Sequence, residues 1–212
     1  RVLFSSTSEI YAGTLKHYGA PVPTDEEVNL TIDDIKSPRT TYALSKMVGE
    51  SACFSYHKKH KIPITIVRYH NVYGPRMGFA HVIPEIMAKS HSAKQYVEIY
   101  SPSHTRAFCY VDDAIDATIK LAESSASIGH IVNVGNSENE IAIEELAKYI
   151  IELINPSLKI KSLHVQEGSP PRRCPDTGKI KRLIQFQPKI SLMEGIKLTW
   201  DWYKDRLDDI YE

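Results

Sequence analysis

Apolar and polar positions along this 212-residue chain follow two periods, which predict two kinds of element. Runs rich in β-branched residues, at 64–69 and 131–135, are typical of strands buried on both faces of a parallel sheet. A shorter apolar run at 2–4 predicts a strand that ends in hydroxyl residues, and further strands are predicted at 96–100 and 159–165. Because these strands alternate with helical segments, the sequence predicts an α/β fold with a parallel sheet.

Helical periodicity predicts five helices, at 40–60, 81–89, 112–124, 143–154 and 191–206. Thr40 or Thr41 is expected to cap the first helix, and Gly49 within it indicates close packing against another helix. Asp112 and Asp113 are expected to cap the third helix.

Segment 12–39 lacks a regular pattern. It contains Pro21, Pro23 and Pro38, several acidic residues and no sustained periodicity. It therefore predicts a long loop, and long loops often cover a binding site.

Composition narrows the classes of function. A hydrophobic fraction of 42%, a charged fraction of 25% and zero net charge are ordinary for a soluble globular protein, so nothing indicates a nucleic-acid or acidic-membrane partner. No apolar run approaches the length of a membrane span. Cys53, Cys109 and Cys174 lack C-x-x-C spacing, which argues against a disulfide framework or a metal site and favours a reducing cytoplasm.

The chemistry most visible in the sequence is a tyrosine four residues before a lysine. Tyr42 and Lys46 share one face of a predicted helix, where the lysine ammonium favours the phenolate form of the tyrosine. Thr7, at the end of the first predicted strand, supplies a hydroxyl that completes a candidate proton-transfer site. The spacing alone is a weak signal, and the rest of the sequence gives it weight.

Five blocks carry that further signal: SSTSEIY at 5–11, YALSK at 42–46, RYHNVYGPR at 68–76, TRAFCYVDD at 105–113 and RRCPD at 172–176. In this order they resemble the extended short-chain dehydrogenase/reductase family, and within it the NAD-dependent nucleotide-sugar epimerases, dehydratases and decarboxylases. The resemblance covers essentially the whole chain.

The resemblance implies a fold with two parts. Residues 1–76 and 112–135 would form the remaining part of a doubly wound, Rossmann-type NAD-binding sheet, and residues 77–111 and 136–212 a smaller α/β lobe that binds the nucleotide sugar. The chain lacks the glycine-rich turn of this family, so it is expected to match the C-terminal two-thirds of such an enzyme. Either the N-terminal half was removed, disordered or left out of the numbering, or the protein is naturally incomplete. Three strands with an open sheet edge are expected to fold poorly alone.

The resemblance also implies catalytic roles. Tyr42 would act as the general base that takes a proton from a sugar hydroxyl, Lys46 would tune it, and Thr7 would hydrogen-bond the reacting oxygen. Glu9 would act as an acid/base or as a hydrogen-bond acceptor behind the catalytic groups. Ser8 stands where the 4,6-dehydratases of deoxythymidine sugars have an aspartate, which weakens the dehydratase interpretation.

Binding roles follow in the same way. Ser5 and His70, together with Tyr42 and Lys46, are expected to contact NAD, with His70 near the nicotinamide and without a role in proton transfer. The residues expected to bind the diphosphate sugar are Asn71, Arg106 and Arg173, the two arginines because a guanidinium matches phosphate oxygens in a bidentate fork.

The leading hypothesis is an NAD-dependent nucleotide-sugar enzyme that oxidises C4 transiently, most simply a C4-epimerase. UDP-glucuronate decarboxylation and 4,6-dehydration are alternatives within the same family. A hypothesis of another class is a non-catalytic substrate-binding fragment. A homodimer is expected for the full-length protein by resemblance alone.

Overall fold

Ten strands and seven α-helices alternate along the residues that the structure, a computed structural model, describes: 1–166 and 168–207. The strands are β1 (Val2–Thr7), β2 (Ile64–Tyr69), β3 (Val72–Tyr73), β4 (Tyr96–Ile99), β5 (Thr105–Ala107), β6 (Cys109–Tyr110), β7 (Ile131–Val134), β8 (Glu140–Ala142), β9 (Lys159–Ser162) and β10 (Arg172–Arg173). The helices are α1 (Ala12–Tyr18), α2 (Pro38–His60), α3 (Val82–Ser92), α4 (Val111–Glu123), α5 (Ile143–Ile154), α6 (Gly178–Ile184) and α7 (Leu192–Tyr203).

The central sheet confirms the predicted α/β class. Its three strands are parallel and lie in the order β1–β2–β7, with Thr7 opposite Tyr69 and Tyr69 opposite Val134. Helix α2 connects β1 to β2 and leaves β1 at the edge, as the sequence predicted. The carboxyl ends of the strands therefore meet at one side of the sheet, which is where parallel sheets bind ligands.

The start of α2 differs from the expectation. The helix begins at Pro38, whose missing N–H is harmless in the first turn, so the prediction that Thr40 or Thr41 caps it is wrong. The Thr40 hydroxyl instead donates a 2.6 Å hydrogen bond to the carbonyl of Asp34.

Gly49 marks a close approach of α2 to a strand. A Cβ atom at this position would lie 2.3 Å from Cζ of Phe4 on β1. The prediction that Gly49 packs against another helix is therefore wrong, because its neighbour belongs to the central sheet. The absent side chain sets how closely α2 approaches the sheet.

Segment 12–39 is less irregular than predicted, since α1 follows directly on a 3₁₀ turn at Ser8–Tyr11. Helix α6 was also missed. The predicted helices and the longer predicted strands are confirmed, with ends that differ by at most three residues.

Asp113 has a different role from the predicted cap. Tyr110 occupies the N-cap position of α4, and the Asp113 carboxylate accepts hydrogen bonds of 2.9 and 3.0 Å from the backbone N–H groups of Lys189 and Ile190. The prediction that Asp112 and Asp113 cap this helix is therefore wrong. Asp113 connects α4 to the segment that precedes α7.

Two apolar clusters form the interior of the described residues. The larger is built mainly from α3, β4, α5 and α7, and the smaller from α4, α6 and strands of the central sheet. A second small sheet, in the order β10–β5–β8, brings Arg173 opposite Arg106. This sheet presents both arginines to the space beside the carboxyl end of β1.

Candidate active site

A cavity of about 630 Å³ lies at the carboxyl ends of β1 and β2. Seven of the residues singled out in the sequence line it: Thr7, Ser8, Glu9, Tyr42, Asn71, Arg106 and Arg173. These residues come from five separate segments of the chain, so the fold assembles the site. Lys46, Ser5 and His70 lie outside the lining.

The turn after β1 is fixed by its own side chain. The Thr7 hydroxyl oxygen accepts a 3.2 Å hydrogen bond from the backbone N–H of Glu9 and so caps the 3₁₀ turn. Because the oxygen is used as an acceptor, the hydroxyl proton remains available for donation to a ligand. Ser8 follows it and is buried.

Tyr42 and Lys46 lie one helical turn apart on α2, as their spacing predicted. The Lys46 ammonium donates a 2.9 Å hydrogen bond to the backbone carbonyl of Ser5 and lies 5.8 Å from the centroid of the Tyr42 ring. Tyr42 is 50% exposed. The edge strand therefore fixes the ammonium beside the phenol, while the phenol stays accessible to a ligand.

Glu9 is held from two sides. Arg173, of which only 8% is exposed, donates to it from Nη1 to Oε2 at 2.6 Å and from Nη2 to Oε1 at 3.1 Å. Arg39 donates from Nε to the same Oε1 at 3.1 Å. Burial by itself raises the pKa of the Glu9 carboxyl, but the two guanidiniums outweigh burial and lower this pKa. Glu9 is thus an ionised acceptor at neutral pH.

Arg106 adds a third guanidinium at this end of the cavity. It donates to the carbonyl of Thr105 at 2.6 Å and to the hydroxyl of Ser169 at 2.7 Å. Burial, and then the charges of Arg173 and Arg39, lower the pKa of Arg106 to about 10. Three guanidiniums therefore lie around the Glu9 carboxylate. With Lys89, Glu85 and Glu98 included, the Arg, Lys and Glu side chains of the lining carry one positive charge in excess.

Asn71 and His70 follow β2 in different environments. Asn71 lines the cavity, and its side-chain amide donates a 3.2 Å hydrogen bond to the carbonyl of Ala107. His70 is only 2% exposed, and its Nε2 lies 3.0 Å from Oδ1 of Asn133. Burial lowers the pKa of His70 to about 4, so the ring is neutral at physiological pH.

Several cavity residues escaped the sequence analysis. Arg39 stands three positions before Tyr42, and this helical spacing was the signal that could have identified it. At the other end of the cavity, the Lys89 ammonium lies 5.4 Å from the centroid of the Tyr100 ring, and His104 is buried nearby. No local motif marks these three, because the fold brings them in from separate segments.

Within 1–166 and 168–207, no group of three or more His, Cys, Asp or Glu side chains is placed to hold a metal ion. In the same part of the chain, no helix is both long and apolar enough to span a bilayer.

Comparison with known families gives a match across most of the site. The profile of the NAD dependent epimerase/dehydratase family matches residues 1–135. This stretch includes the Thr7–Glu9 turn, Tyr42, Lys46 and Arg106.

Curated relatives extend the similarity to nearly the full chain. UDP-glucuronic acid decarboxylase 3 of Arabidopsis thaliana is 35% identical over 210 residues, which cover 98% of this chain and 59% of the relative. A UDP-N-acetyl-alpha-D-glucosaminuronate decarboxylase of Bacillus cytotoxicus is 34% identical over 218 residues, covering 99% and 65%. The chain spans between 45% and 65% of the length of the curated relatives it matches.

Solved structures also match nearly the whole of this chain over about three-fifths of their own length. An epimerase from Methanothermobacter thermautotrophicus superposes with a TM-score of 0.84 at 25% identity, over 99% of this chain and 60% of that one. A UDP-glucuronic acid 4-epimerase from Bacillus cereus, in complex with UDP-glucuronic acid and NAD, superposes with a TM-score of 0.76 at 27% identity, over 96% and 61%.

Proposed function

Because this chain belongs to the NAD dependent epimerase/dehydratase family, we propose that the protein oxidises C4 of a nucleotide-diphosphate sugar transiently. Bound NAD would supply the chemistry of removing and returning a hydride. We favour decarboxylation of a UDP-linked uronic acid as the net reaction, since two relatives more than 30% identical over nearly the whole chain bear the names of such decarboxylases. This places decarboxylation ahead of the simple epimerisation that the sequence alone favoured.

One observation carries the proposal. The phenol of Tyr42 and the hydroxyl of Thr7 line the same cavity as four cationic side chains and three carboxylates. The three guanidiniums lie beside Glu9, whereas Glu85 and Glu98 line the cavity on the side of Lys89, so the lining carries one positive charge in excess. A UDP-uronate brings a diphosphate and a carboxylate into one ligand, and this negative charge matches the excess positive charge of the site.

Tyr42, Thr7 and Lys46 would share the first proton transfer. As the general base, the Tyr42 side-chain oxygen takes the proton of the C4 hydroxyl, and the hydroxyl proton of Thr7 hydrogen-bonds the same substrate oxygen as it becomes a carbonyl. Lys46 donates one N–H to the carbonyl of Ser5, and its other N–H groups would be free to hold the ribose hydroxyls of NAD.

Loss of carbon dioxide follows from the position of the ketone. A carbonyl at C4 is β to the carboxylate on C5, so the bond between C5 and the carboxyl carbon breaks and its electron pair moves towards the ketone oxygen. Carbon dioxide leaves, and C5 then takes a proton. The guanidiniums of Arg106 and Arg173 would bind the diphosphate and stabilise negative charge in the site.

C4-epimerisation is the second candidate, since the Bacillus cereus neighbour bears that name and the Tyr42, Lys46 and Thr7 arrangement serves either reaction. In epimerisation the 4-keto sugar rotates in the site before the hydride returns to C4, and the sugar keeps its carboxylate. Release of carbon dioxide therefore separates the two functions.

The test is product analysis with UDP-glucuronate and NAD, using the protein as its gene encodes it. We expect carbon dioxide and a UDP-pentose by NMR and mass spectrometry. Tyr42→Phe should lower kcat at least ~100-fold, the usual contribution of a positioned acid/base group, and leave the circular dichroism spectrum unchanged.

Tyr18→Phe is the matched control, because it removes a phenol hydroxyl from an exposed site on α1, outside the cavity. Full activity is expected for this variant. Unchanged turnover in Tyr42→Phe would refute the catalytic assignment, and a 4-epimer formed without carbon dioxide would favour the second candidate.

Three further expectations remain proposals. A homodimer through α2 is supported by the exposed Val48 and Tyr56 on that helix. A cytoplasmic location is supported by the free thiols of the three cysteines. The division into a cofactor part (1–76 and 112–135) and a sugar-binding lobe (77–111 and 136–212) also stays a proposal. The larger apolar cluster lies mostly in the lobe, but the smaller one packs Ile180 and Phe186 of the lobe against the central sheet.

A further inference from the structure

We infer that Arg39 selects acidic sugars: it leaves Glu9 when substrate enters and binds the carboxylate of the uronic acid. The inference rests on the proposed function and assigns a specificity-determining role to a residue outside the sequence blocks that mark the site. Three observations carry it, and they concern the position of Arg39, its helix terminus and its ion pair.

Arg39 shares the cavity face of α2 with the proposed general base. Arg39 and Tyr42 are three positions apart, the spacing that places side chains side by side on a helix, and both line the cavity. A guanidinium that contacts substrate from this position would lie near C4, the carbon whose hydroxyl group Tyr42 deprotonates. In a uronic acid the carboxylate is attached next to that carbon, on C5.

The helix terminus is an unfavourable place for a cation. Arg39 is the second residue of α2, and the first turn of this 23-residue helix contains no acidic side chain. The helix dipole presents partial positive charge there, so an arginine is disfavoured and an anion is favoured. Residues that break a local rule of stability are typical of functional sites.

The ion pair of Arg39 is of the kind that can be exchanged. Its side chain is 49% exposed and contacts Glu9 through one 3.1 Å hydrogen bond, whereas Arg173 is buried and makes two. Exposed ion pairs contribute little stability, and long side chains on the surface rearrange readily. Arg39 can therefore move to a substrate carboxylate while Glu9 remains fixed by Arg173.

Charge balance favours this exchange. Arg39, Arg106 and Arg173 line the cavity around Glu9, whereas its other two carboxylates, Glu85 and Glu98, line it on the side of Lys89. An entering carboxylate would therefore pair with a guanidinium that Glu9 does not need. Burial, and then the nearby charges of Arg173 and Arg39, lower the pKa of Arg106, and like charges gathered at one end of the cavity repel one another. A second carboxylate relieves the repulsion.

The experiment compares two ligands that differ by the carboxylate. Binding of UDP-glucuronate and of UDP-xylose, which lacks that group, is measured by calorimetry on the NAD-loaded protein as its gene encodes it. Every protein compared carries Tyr42→Phe, which prevents turnover of UDP-glucuronate during the titration. For Arg39→Gln we expect at least ~10-fold weaker binding of UDP-glucuronate, the order of loss for one charge-assisted contact. Binding of UDP-xylose should change less than about twofold.

Lys36→Gln is the matched control, since it removes an exposed cation one turn earlier that does not line the cavity. It should bind both ligands like the protein with Tyr42→Phe alone. Arg39→Lys keeps the charge without the planar fork and should recover part of the lost affinity. The melting temperature of Arg39→Gln should not fall, because the removed cation stood at the positive end of α2.

The outcomes distinguish the two proposals. Selective loss of UDP-glucuronate binding supports the role of Arg39. Equal loss of both ligands, or no loss, overturns it while the proposed function stands. If the protein with Tyr42→Phe alone binds neither ligand, the proposed function fails and the inference falls with it.

Discussion

His70 shows how its position in the sheet decides the chemistry of a side chain. Its Nε2 lies 3.0 Å from the side-chain Oδ1 of Asn133. This oxygen also accepts a 2.9 Å hydrogen bond from the Tyr11 hydroxyl. Because that oxygen can only accept, Nε2 carries the proton and the ring is neutral. Among the described residues, buried Nδ1 meets no hydrogen-bond partner. A second proton there would introduce a charge close to Arg68 and Arg173.

This environment predicts a loss of stability in mild acid. The pKa of His70 is about 4 in the folded protein, against about 6.5 when unfolded, so the unfolded chain gains a proton first as the pH falls. Between about pH 6.5 and pH 4 this difference favours unfolding. We expect His70→Gln, which keeps a donor towards Asn133, to remove roughly 2 kcal/mol of the stability lost between about pH 7 and pH 5.

Urea unfolding of both proteins across this range is the measurement. Carboxylates with lowered pKa values, such as Glu9, lose their contribution only below their unfolded pKa, near 4.5, so they leave this window almost unaffected. Parallel pH profiles for wild type and His70→Gln would show that His70 accepts a proton in the folded state.

The sequence identified the residues that act within one helix turn or one strand end. Tyr42 and Lys46 followed from their spacing, and Thr7 from the end of an apolar run. The role of Arg173 as the partner of Glu9 did not, because 164 positions separate them and neither side chain signals the other locally. Pairing at that distance depends on tertiary structure.

At the scale of elements, the length of a helix decided whether the sequence pattern predicted it. The predicted helices have 11 to 23 residues, whereas the missed helices α1 and α6 have seven each. A helix that short is unstable alone and depends on its packing. Gly13 of α1 shows the dependence, because a Cβ there would lie 2.2 Å from the carbonyl oxygen of Thr31. The strands β3, β6 and β10 were also missed, because two residues are too few to show an alternating pattern in the sequence.

Contact between α2 and β1 gives a prediction with an unusual sign. In an exposed helix Gly→Ala stabilises by about 1 kcal/mol. Gly49→Ala should instead destabilise the protein by about 1–3 kcal/mol, since its Cβ meets the Phe4 ring. Denaturant unfolding of the purified variant measures the change.

A second substitution identifies the cause. In a Phe4→Leu background the ring is gone, and Gly49→Ala should become neutral or stabilising. A penalty that persists in the double variant would show that the clash lies elsewhere. Because the Lys46 ammonium lies 5.5 Å from the centroid of the same ring, the clash should also displace the lysine from its contact with Ser5.

Considered as a whole, the molecule has two apolar clusters that Asp113 helps to join. Asp113 lies on α4, which packs in the smaller cluster. Its carboxylate accepts hydrogen bonds from the backbone N–H groups of Lys189 and Ile190, just before α7, which packs in the larger cluster. Side chains of α7, Trp200 and Trp202 among them, pack on the larger cluster. These are the chain's two tryptophans, so their fluorescence reports on that cluster alone.

Removing this connection should separate the two clusters during unfolding. Asp113→Ala leaves two backbone N–H groups without an acceptor and should cost about 1–3 kcal/mol. We expect tryptophan fluorescence to change at lower urea concentration than circular dichroism, which reports on all helices. Asp113→Asn, which keeps one acceptor oxygen, should show an intermediate separation, and coincident transitions in Asp113→Ala would contradict the proposed connection.

The long separation in sequence between Glu9 and Arg173 also affects when the site forms during folding and synthesis. A contact across 164 positions closes a large loop, and the entropy lost in closing it is recovered only after the intervening segments have packed. During synthesis the chain emerges from its N-terminus, so Thr7 and Tyr42 leave the ribosome long before the strand that carries Arg173. The site is therefore completed late, and a chain interrupted before β10 holds the proton-transfer residues without the guanidinium that fixes their neighbouring carboxylate.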